Sequence, residues 1–170
     1  MQQRHLLVRR VISWSLVVLW MGLIFWFSAQ NGDRSSALSG GLIEKIASMI
    51  TPHFADWTEE QQAEVIAQWQ FIVRKLAHFT EYALLGVLLT LALSAHTHRI
   101  AVQIGIAAPI SLLYAVGDEW HQSFVPGRGP GIRDVCIDFL GALTGILLSA
   151  LIAVIWRRRR LRRQNHIKEQ

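Results

Sequence analysis

Two short segments of the chain place ionisable side chains between long apolar runs. One runs from Arg74 to Tyr82 and reads RKLAHFTEY, and the other runs from Asp118 to Asp138 and reads DEWHQSFVPGRGPGIRDVCID. A charged side chain inside a membrane costs about 3 kcal/mol on insertion scales, so such residues face the interior of a helix bundle and mark functional sites. We therefore expect the two segments to meet and to form a polar site.

The first segment carries a cation, an imidazole and a carboxylate on one helical face. Arg74, His78 and Glu81 are spaced i, i+4 and i+7, which aligns side chains along one side of a helix. Lys75 and Tyr82 flank this face. The row therefore combines groups that can transfer protons with groups that can bind anions.

The second segment adds acids, amides and arginines around a turn rich in glycine and proline. Asp134 and Asp138 are four residues apart and share one face of the helix that follows the turn. The loop before that helix is expected to contribute further polar side chains, namely Asp118, Glu119, His121, Gln122, Arg128 and Arg133.

These groups are compatible with three kinds of site. The first is a buried ion-pair network that sets the register of the helices. The second is an acid–base or metal site, because imidazole and carboxylate donors suit zinc or a harder ion. The third binds an anionic or amphipathic ligand through arginine forks, for which the candidates are Arg74, Arg128 and Arg133.

The acid–base interpretation gives particular side chains a role. His78 would be the general acid or base, Glu81 would orient it, and Arg128 would clamp a phosphate. Asp118 and Glu119 are further candidates for proton transfer. No fixed signature such as HExxH is present, so the sequence assigns neither a metal nor a reaction. Residue types without geometry leave all three interpretations open.

The apolar runs around these segments predict an all-α integral membrane protein. Of the 170 residues, 52% are apolar, and the mean hydropathy is +0.30. A membrane-spanning helix needs roughly 20 apolar residues. We expect one four-helix domain over residues 1–156 and a basic tail over residues 157–170, with the spans at Val11–Ala29, Phe71–Ala95, Ile100–Gly117 and Val135–Trp156.

The distribution of charge predicts which face of the membrane each loop occupies. Eleven of the 17 basic residues lie on the side of the two termini, where Glu169 is the one acid among 12. Because cytoplasmic segments are enriched in lysine and arginine, both termini are expected in the cytoplasm and the polar site on the opposite face. The arginine run after Trp156 predicts a stop-transfer anchor that attracts anionic lipid, so we expect the bilayer and no nucleic acid as a partner.

Local signals add three structural expectations. Thr58 begins a capping box, and the helical pattern after it continues to about Ala95. A short amphipathic helix is expected over residues 39–50, along the outer interface. Gly141 and Gly145 form a GxxxG pair that permits close helix contact, either within one chain or in a homo-oligomer.

Three motifs in this order resemble the VanZ-like family of small bacterial membrane proteins. They are FSAQ followed by serines after the first span, RKLAHFTEYALLG, and DEWHQSFVPGRGPGIRDVCIDFLGALTG, which together cover Phe25–Gly145. The resemblance implies a four-helix integral protein of the bacterial cell envelope. The founding member is associated with resistance to the glycopeptide antibiotic teicoplanin, but the resemblance names no reaction.

The resemblance carries over to individual positions. The positions that match are Ser28, Gln30, Lys75, His78, Phe79, Glu81, Tyr82, Asp118, Glu119, Gln122, Arg128, Asp134 and Gly141. Position 138 is Asp where the family pattern often has Asn, so we expect this acid to have its own partner, with Arg128 or Arg133 as candidates. The candidates for ligand binding are thus Arg74, Lys75, Tyr82, Gln122, Arg128, Arg133, Asp134, Asp138, Ser28 and Gln30.

Two functional hypotheses follow. The leading one is an envelope protein of the bacterial cytoplasmic membrane that binds or modifies a lipid-linked or cell-wall-related ligand and so alters glycopeptide susceptibility. A lipid phosphate would lie at the depth of the arginine forks and of His78 and Glu81. The alternative is a non-catalytic accessory or scaffold protein in which the charged network is structural.

Overall fold

The described residues form five α-helices and one short 3-10 helix, Phe54–Asp56. The computed structural model describes residues 2–29, 41, 43–51, 53–126 and 131–168. The described part contains no strand, so the predicted all-α fold is confirmed. The helices are α1 (Gln2–Ser28), α2 (residues 43–50), α3 (Glu59–Ser94), α4 (Ile100–Gln122) and α5 (Ile132–Lys168).

Four of these helices, α1, α3, α4 and α5, are long and apolar enough to cross a membrane. Polar contacts show that α1 and α3 run in opposite directions. Arg9, early in α1, donates a 3.0 Å hydrogen bond to Ser94 at the end of α3, whereas Trp20 donates a 2.9 Å bond to the carbonyl of Glu81 in the middle of α3. The fold is thus a bundle of alternating spans, as the apolar runs predicted.

The closest helix contact in the bundle joins α3 to α5 through glycines. A Cβ on Gly141 would lie 2.2 Å from the carbonyl oxygen of Phe79, and one on Gly145 would lie 1.9 Å from that of Ala83. Only a residue without a side chain fits between two backbones at such distances. The predicted close contact at the GxxxG pair is therefore confirmed, and α3 of the same chain occupies this face.

The long helix α3 begins where the sequence predicts. Thr58 accepts a hydrogen bond from the Gln61 backbone, and the Gln61 side chain accepts one from the Thr58 backbone. This capping box satisfies two amide groups that have no partner within the helix. Glu59 and Glu60 lie in the first turn, where negative charge interacts favourably with the helix dipole.

The end of α4 differs from the prediction. The helix continues past Gly117 to Gln122, so the polar residues 118–122 lie on its last turns and not in a loop. The expected loop was wrong, because a run of polar side chains at a membrane surface does not by itself end a helix. Asp118 and Gln122 are spaced i, i+4 and hydrogen bond to each other, which favours another helical turn. As a result, these side chains are held by a rigid element.

The core of the bundle is small, and much of its apolar surface faces outward. Tyr82, Leu85 and Ile146 are fully buried between the helices. Large apolar side chains such as Leu113 and Trp26 are exposed, at 72% and 66% of their surfaces. Helices with this outward apolar surface suit a lipid environment, in which every backbone polar group must be bonded within the protein.

Candidate functional site

Three helices bring ionisable side chains together at one end of the bundle. His78 on α3, Asp118 on α4 and Asp138 on α5 each offer a donor atom, and these atoms lie within 4.8 Å of one another. The two polar segments therefore meet, as the sequence predicts. We call the following group the polar cluster: Ser28, His78, Tyr82, Asp118, Gln122 and Asp138.

Hydrogen bonds tie one side of the polar cluster to α1. The Ser28 hydroxyl donates a 2.8 Å bond to Asp118 Oδ2, and the Gln122 amide donates to the same oxygen at 3.0 Å and to Ser28 Oγ at 3.2 Å. All three side chains are buried, with at most 6% of their surface exposed. Asp118 is thus fixed by two donors through one of its oxygens.

The other side of the polar cluster joins α3 to α5. His78 Nδ1 lies 3.7 Å from Asp138 Oδ1, and Asp138 is 1% exposed. Tyr82 is fully buried and interacts electrostatically with both Asp118 and Asp138. The tyrosine is one turn from His78 on α3 and contributes a buried hydroxyl to the site.

A second contact between α3 and α5 lies next to the polar cluster. Lys75 Nζ forms a salt bridge with Asp134 Oδ1, and their side chains are 16% and 30% exposed. Because Lys75 precedes His78 by three residues and Asp134 precedes Asp138 by four, the two pairs lie on successive turns. The Lys75 ammonium group is therefore paired with Asp134, a carboxylate outside the polar cluster.

A groove lies between the end of α4 and the start of α5. Its volume is about 440 Å³, and it is lined mainly by apolar side chains, with Glu119 as the charged residue. Glu119 Oε1 accepts a 2.6 Å hydrogen bond from the backbone of Gly131, next to the start of α5. The groove thus combines an apolar wall with one fixed carboxylate, its lining being Val116, Glu119, Trp120, Ser123, Gly131, Ile132 and Val135.

Several predicted residues are not members of the polar cluster, and two of them lie outside the described residues. Arg74 and Arg133 are exposed, and Glu81 is half-buried. The group that faces Asp138 is His78, whereas Arg133, one of the two arginines expected to pair with this acid, is exposed. Gln30 and Arg128, also predicted as ligand-binding residues, lie outside the described residues.

His121, another predicted donor, contacts α1 instead of the acids beside it on α4. Its ring stacks on Phe25 with 4.2 Å between the ring centroids, and the side chain is half-buried. The stacking holds the last turn of α4 against α1, close to the Ser28 contact. His121 is therefore placed to support the position of Asp118 and Gln122.

Two residues on α4 that sequence reasoning missed extend the polar face below Asp118. The Tyr114 ring lies 6.1 Å from the Tyr82 ring, and its hydroxyl donates a 2.5 Å hydrogen bond to the carbonyl of Met21. Ser111 is fully buried. The signal was present in the sequence, because positions 111, 114 and 118 have the spacing of one helical face within an apolar run.

The polar cluster has binding capacity that its own contacts do not use. Within the described part of the chain, Asp118 Oδ1 and Asp138 Oδ2 are buried and accept no hydrogen bond. Buried carboxylates are stable only when they are paired, protonated or coordinated. The arrangement can therefore accept a proton, a hydrogen-bond donor or a cation from outside the described residues.

Comparison with known proteins agrees with this architecture. The family model described as VanZ/LLP1 matches residues 13–155, which is most of the chain. The chain belongs to the VanZ/LLP1 family. The resemblance drawn from the three motifs is thereby confirmed, and the match includes part or all of each of the four spans of this VanZ/LLP1 protein as well as its polar cluster. No curated protein and no solved structure matches the chain.

Proposed function

We propose that this VanZ/LLP1 protein is a cell-envelope protein of the bacterial cytoplasmic membrane that binds or modifies a lipid-linked or cell-wall-related ligand. Its effect is to alter susceptibility to glycopeptides such as teicoplanin. The observation that carries the proposal is the polar cluster, in which two carboxylates with unused oxygens are buried where three helices meet. A purely structural ion-pair network is expected to use the oxygens that it buries.

The location of the polar cluster supports an outward-facing site. Ser28 ends α1 and Gln122 ends α4, so the polar cluster lies at the end of the bundle opposite the chain termini. The termini carry most of the basic residues, and lysine and arginine accumulate on the cytoplasmic side of membrane proteins. The polar cluster then opens to the extracytoplasmic side, where cell-wall precursors are used.

The groove between the end of α4 and the start of α5 supports an amphipathic ligand. Its apolar wall, which includes Trp120 and Val135, suits a lipid chain, and Glu119 at its edge suits a polar headgroup. Arg74 in the first half of α3 and Arg133 at the start of α5 are exposed, and they would attract a phosphate. The combination of an apolar wall with polar groups at one end fits a lipid-linked molecule better than a soluble metabolite.

The test is teicoplanin susceptibility of a sensitive bacterial host that expresses the protein. Wild type should protect the host, and His78→Gln and Glu119→Gln should not, although both variants accumulate in the membrane. Glu44→Gln is the matched control, because Glu44 is an exposed glutamate on α2 and is not a member of the polar cluster. Protection by His78→Gln and Glu119→Gln equal to that by wild type would contradict the proposal.

A scaffold function is the second candidate, and a specific observation favours it. The contact between Ser28 and Asp118 and the salt bridge between Lys75 and Asp134 join helices that are far apart in sequence. If these contacts act only to hold the bundle, His78→Gln should lower the membrane abundance in parallel with the protection. Measuring abundance in the same cells therefore separates a ligand site from a structural network.

A further inference from the structure

We propose that His78, Asp118 and Asp138 form a binding site for a divalent transition-metal ion, with Zn²⁺ as the best match. The three side chains come from α3, α4 and α5, so the site exists only when the bundle is assembled. One donor atom from each residue lies within 4.8 Å of the other two. The biological use of this metal site rests on the proposed function, because the metal would contact the proposed ligand. The existence of the site does not depend on that function.

The local charge is the first support for a cation. Asp118 and Asp138 are 3% and 1% exposed, and each has one oxygen that accepts no hydrogen bond from the described residues. Lys75 is engaged by Asp134, and the described arginines Arg74 and Arg133 are exposed. A protonated His78 would offset one negative charge at most. A dication would balance both carboxylates, which is a common role of buried metal ions.

The donor set selects the kind of metal. One imidazole nitrogen and two carboxylate oxygens form a mixed set that suits Zn²⁺ and other transition metals. Mg²⁺ and Ca²⁺ prefer oxygen ligands alone, and Ca²⁺ needs six to eight of them. Three protein ligands leave a fourth tetrahedral position open, which is the pattern of zinc sites that act on a bound molecule.

The distances are compatible with metal binding after a small contraction. Zinc holds nitrogen and oxygen ligands at about 2.0–2.2 Å, which places tetrahedral ligands about 3.4 Å apart. His78 Nδ1 and Asp138 Oδ1 already lie 3.7 Å apart. The longest separation, up to 4.8 Å, would have to shorten by about 1.4 Å, a movement that adjustment of the carboxylate side chains can supply.

The surroundings orient Asp118 as a ligand. Ser28 and Gln122 both donate to Asp118 Oδ2, which leaves Oδ1 available towards the other donors. Hydrogen bonds of this kind fix the orientation of metal ligands, and removing them typically weakens metal affinity by about 10–100-fold. The structure thus contains both a set of ligands and the outer contacts that such a set requires.

A cation at this place would give the proposed ligand a specific contact. The open coordination position would attract a phosphate or carboxylate oxygen, and the groove between the ends of α4 and α5 would hold the apolar part of the same molecule. The metal would thereby select an anionic, lipid-linked ligand over a neutral lipid.

The test is metal content of the full-length protein in detergent, measured by mass spectrometry after loading with Zn²⁺ and removal of the excess. We expect about one equivalent per chain for wild type. Asp138→Asn and His78→Gln should weaken the affinity by at least about tenfold. Substitution with Co²⁺ supplies a second readout, because visible absorption bands of a tetrahedral site should appear in wild type and be lost in both variants.

Two control variants make the same kinds of substitution, Asp to Asn and His to Gln, at residues that are not proposed ligands. Asp56→Asn removes an exposed carboxylate that pairs with His53, and His96→Gln removes an imidazole that pairs with Trp14 at the other end of the bundle. Both should bind Zn²⁺ as wild type does. Ser28→Ala serves as a further test if a ligand variant does not accumulate, since it should weaken the affinity while keeping all three ligands.

The outcomes separate the metal site from the proposed function. Wild type that retains no metal after loading would overturn the site and leave the susceptibility experiment unaffected. Binding of Zn²⁺ by Asp138→Asn and His78→Gln as tight as by wild type would also overturn it. Metal-loaded protein without any effect on teicoplanin susceptibility would instead contradict the proposed function and leave the site established.

Discussion

Ser28 Oγ donates a 2.8 Å hydrogen bond to Asp118 Oδ2 across 90 residues of sequence. This contact joins the last residue of α1 to the last turns of α4, and both side chains are almost completely buried. It also determines which oxygen of Asp118 remains available to the rest of the polar cluster. A single serine at the end of an apolar run thus occupies one oxygen of a carboxylate on another helix.

The first prediction concerns this serine. Ser28→Ala should lower the melting temperature of the detergent-solubilised protein, because a buried acceptor that loses its donor costs about 1–3 kcal/mol. Gln122 retains its own bond to Asp118, so we expect the lower part of this range. Ser123→Ala is the control, since Ser123 is exposed and bonds only to the carbonyl of Trp120 in its own turn. Equal melting temperatures for Ser28→Ala and wild type would show that the contact adds no stability.

The second prediction concerns the salt bridge between α3 and α5. Lys75→Ala should destabilise the protein by about 1–3 kcal/mol, between the values for exposed and fully buried pairs, because Asp134 then loses its partner. The double variant Lys75→Ala with Asp134→Ala should be less destabilised than the sum of the two single changes. A thermal-denaturation cycle over the four proteins measures this coupling. Strictly additive effects would mean that the pair contributes nothing to the bundle.

The third prediction concerns the close approach of α3 and α5. Gly145→Ala should lower the free energy of unfolding by about 1–3 kcal/mol, because the new methyl group would overlap the backbone of Ala83. The abundance of the protein in the membrane should fall with it. Gly105→Ala is the matched control, since a Cβ at that position has no neighbour within 4 Å and alanine favours a helix. Protein levels on an immunoblot and melting temperatures check both variants. Normal behaviour of Gly145→Ala would mean that the helices can separate at little cost.

The fourth prediction concerns orientation in the membrane. In a Cys136→Ala background, which removes the single cysteine, Ser123→Cys should react with a membrane-impermeant thiol reagent in intact cells. The residue is exposed directly after α4, at the same end as the polar cluster. Arg163→Cys, in the basic part of α5, should react only after the cells are opened. The reverse labelling pattern would place the polar cluster on the cytoplasmic side and contradict the proposed ligand class.

Much of the architecture could be predicted from the sequence because it depends on local patterns. The four spans follow from the length of apolar runs, and the start of α3 follows from the capping box at Thr58. The family follows from sequence motifs, which can be identified without a structure. The glycine pair at 141 and 145 likewise predicted a close helix contact, although the sequence left open whether the partner was the same chain.

The pairing of charged residues could not be predicted in this way. Spacing placed Asp134 and Asp138 on one face of α5. It could not show that Lys75 and His78 on α3 are their partners, or that Arg133 on α5 is exposed. It also gave no account of the distance between Ser28 and Asp118. Partners on different helices depend on the rotation and the axial offset of each helix, and these are not encoded in the periodicity of any one segment.

The sequence alone determined the number of spans, their order and the residue types that could form a site. Tertiary structure decided which of those residues meet, because the contact of Gly141 with Phe79 and of Gly145 with Ala83 sets the offset of α5 against α3. That offset brings His78 to Asp138, while the turns added to α4 bring Asp118 to the same place. Local periodicity specifies a face of a helix, but only close packing between backbones specifies what that face touches.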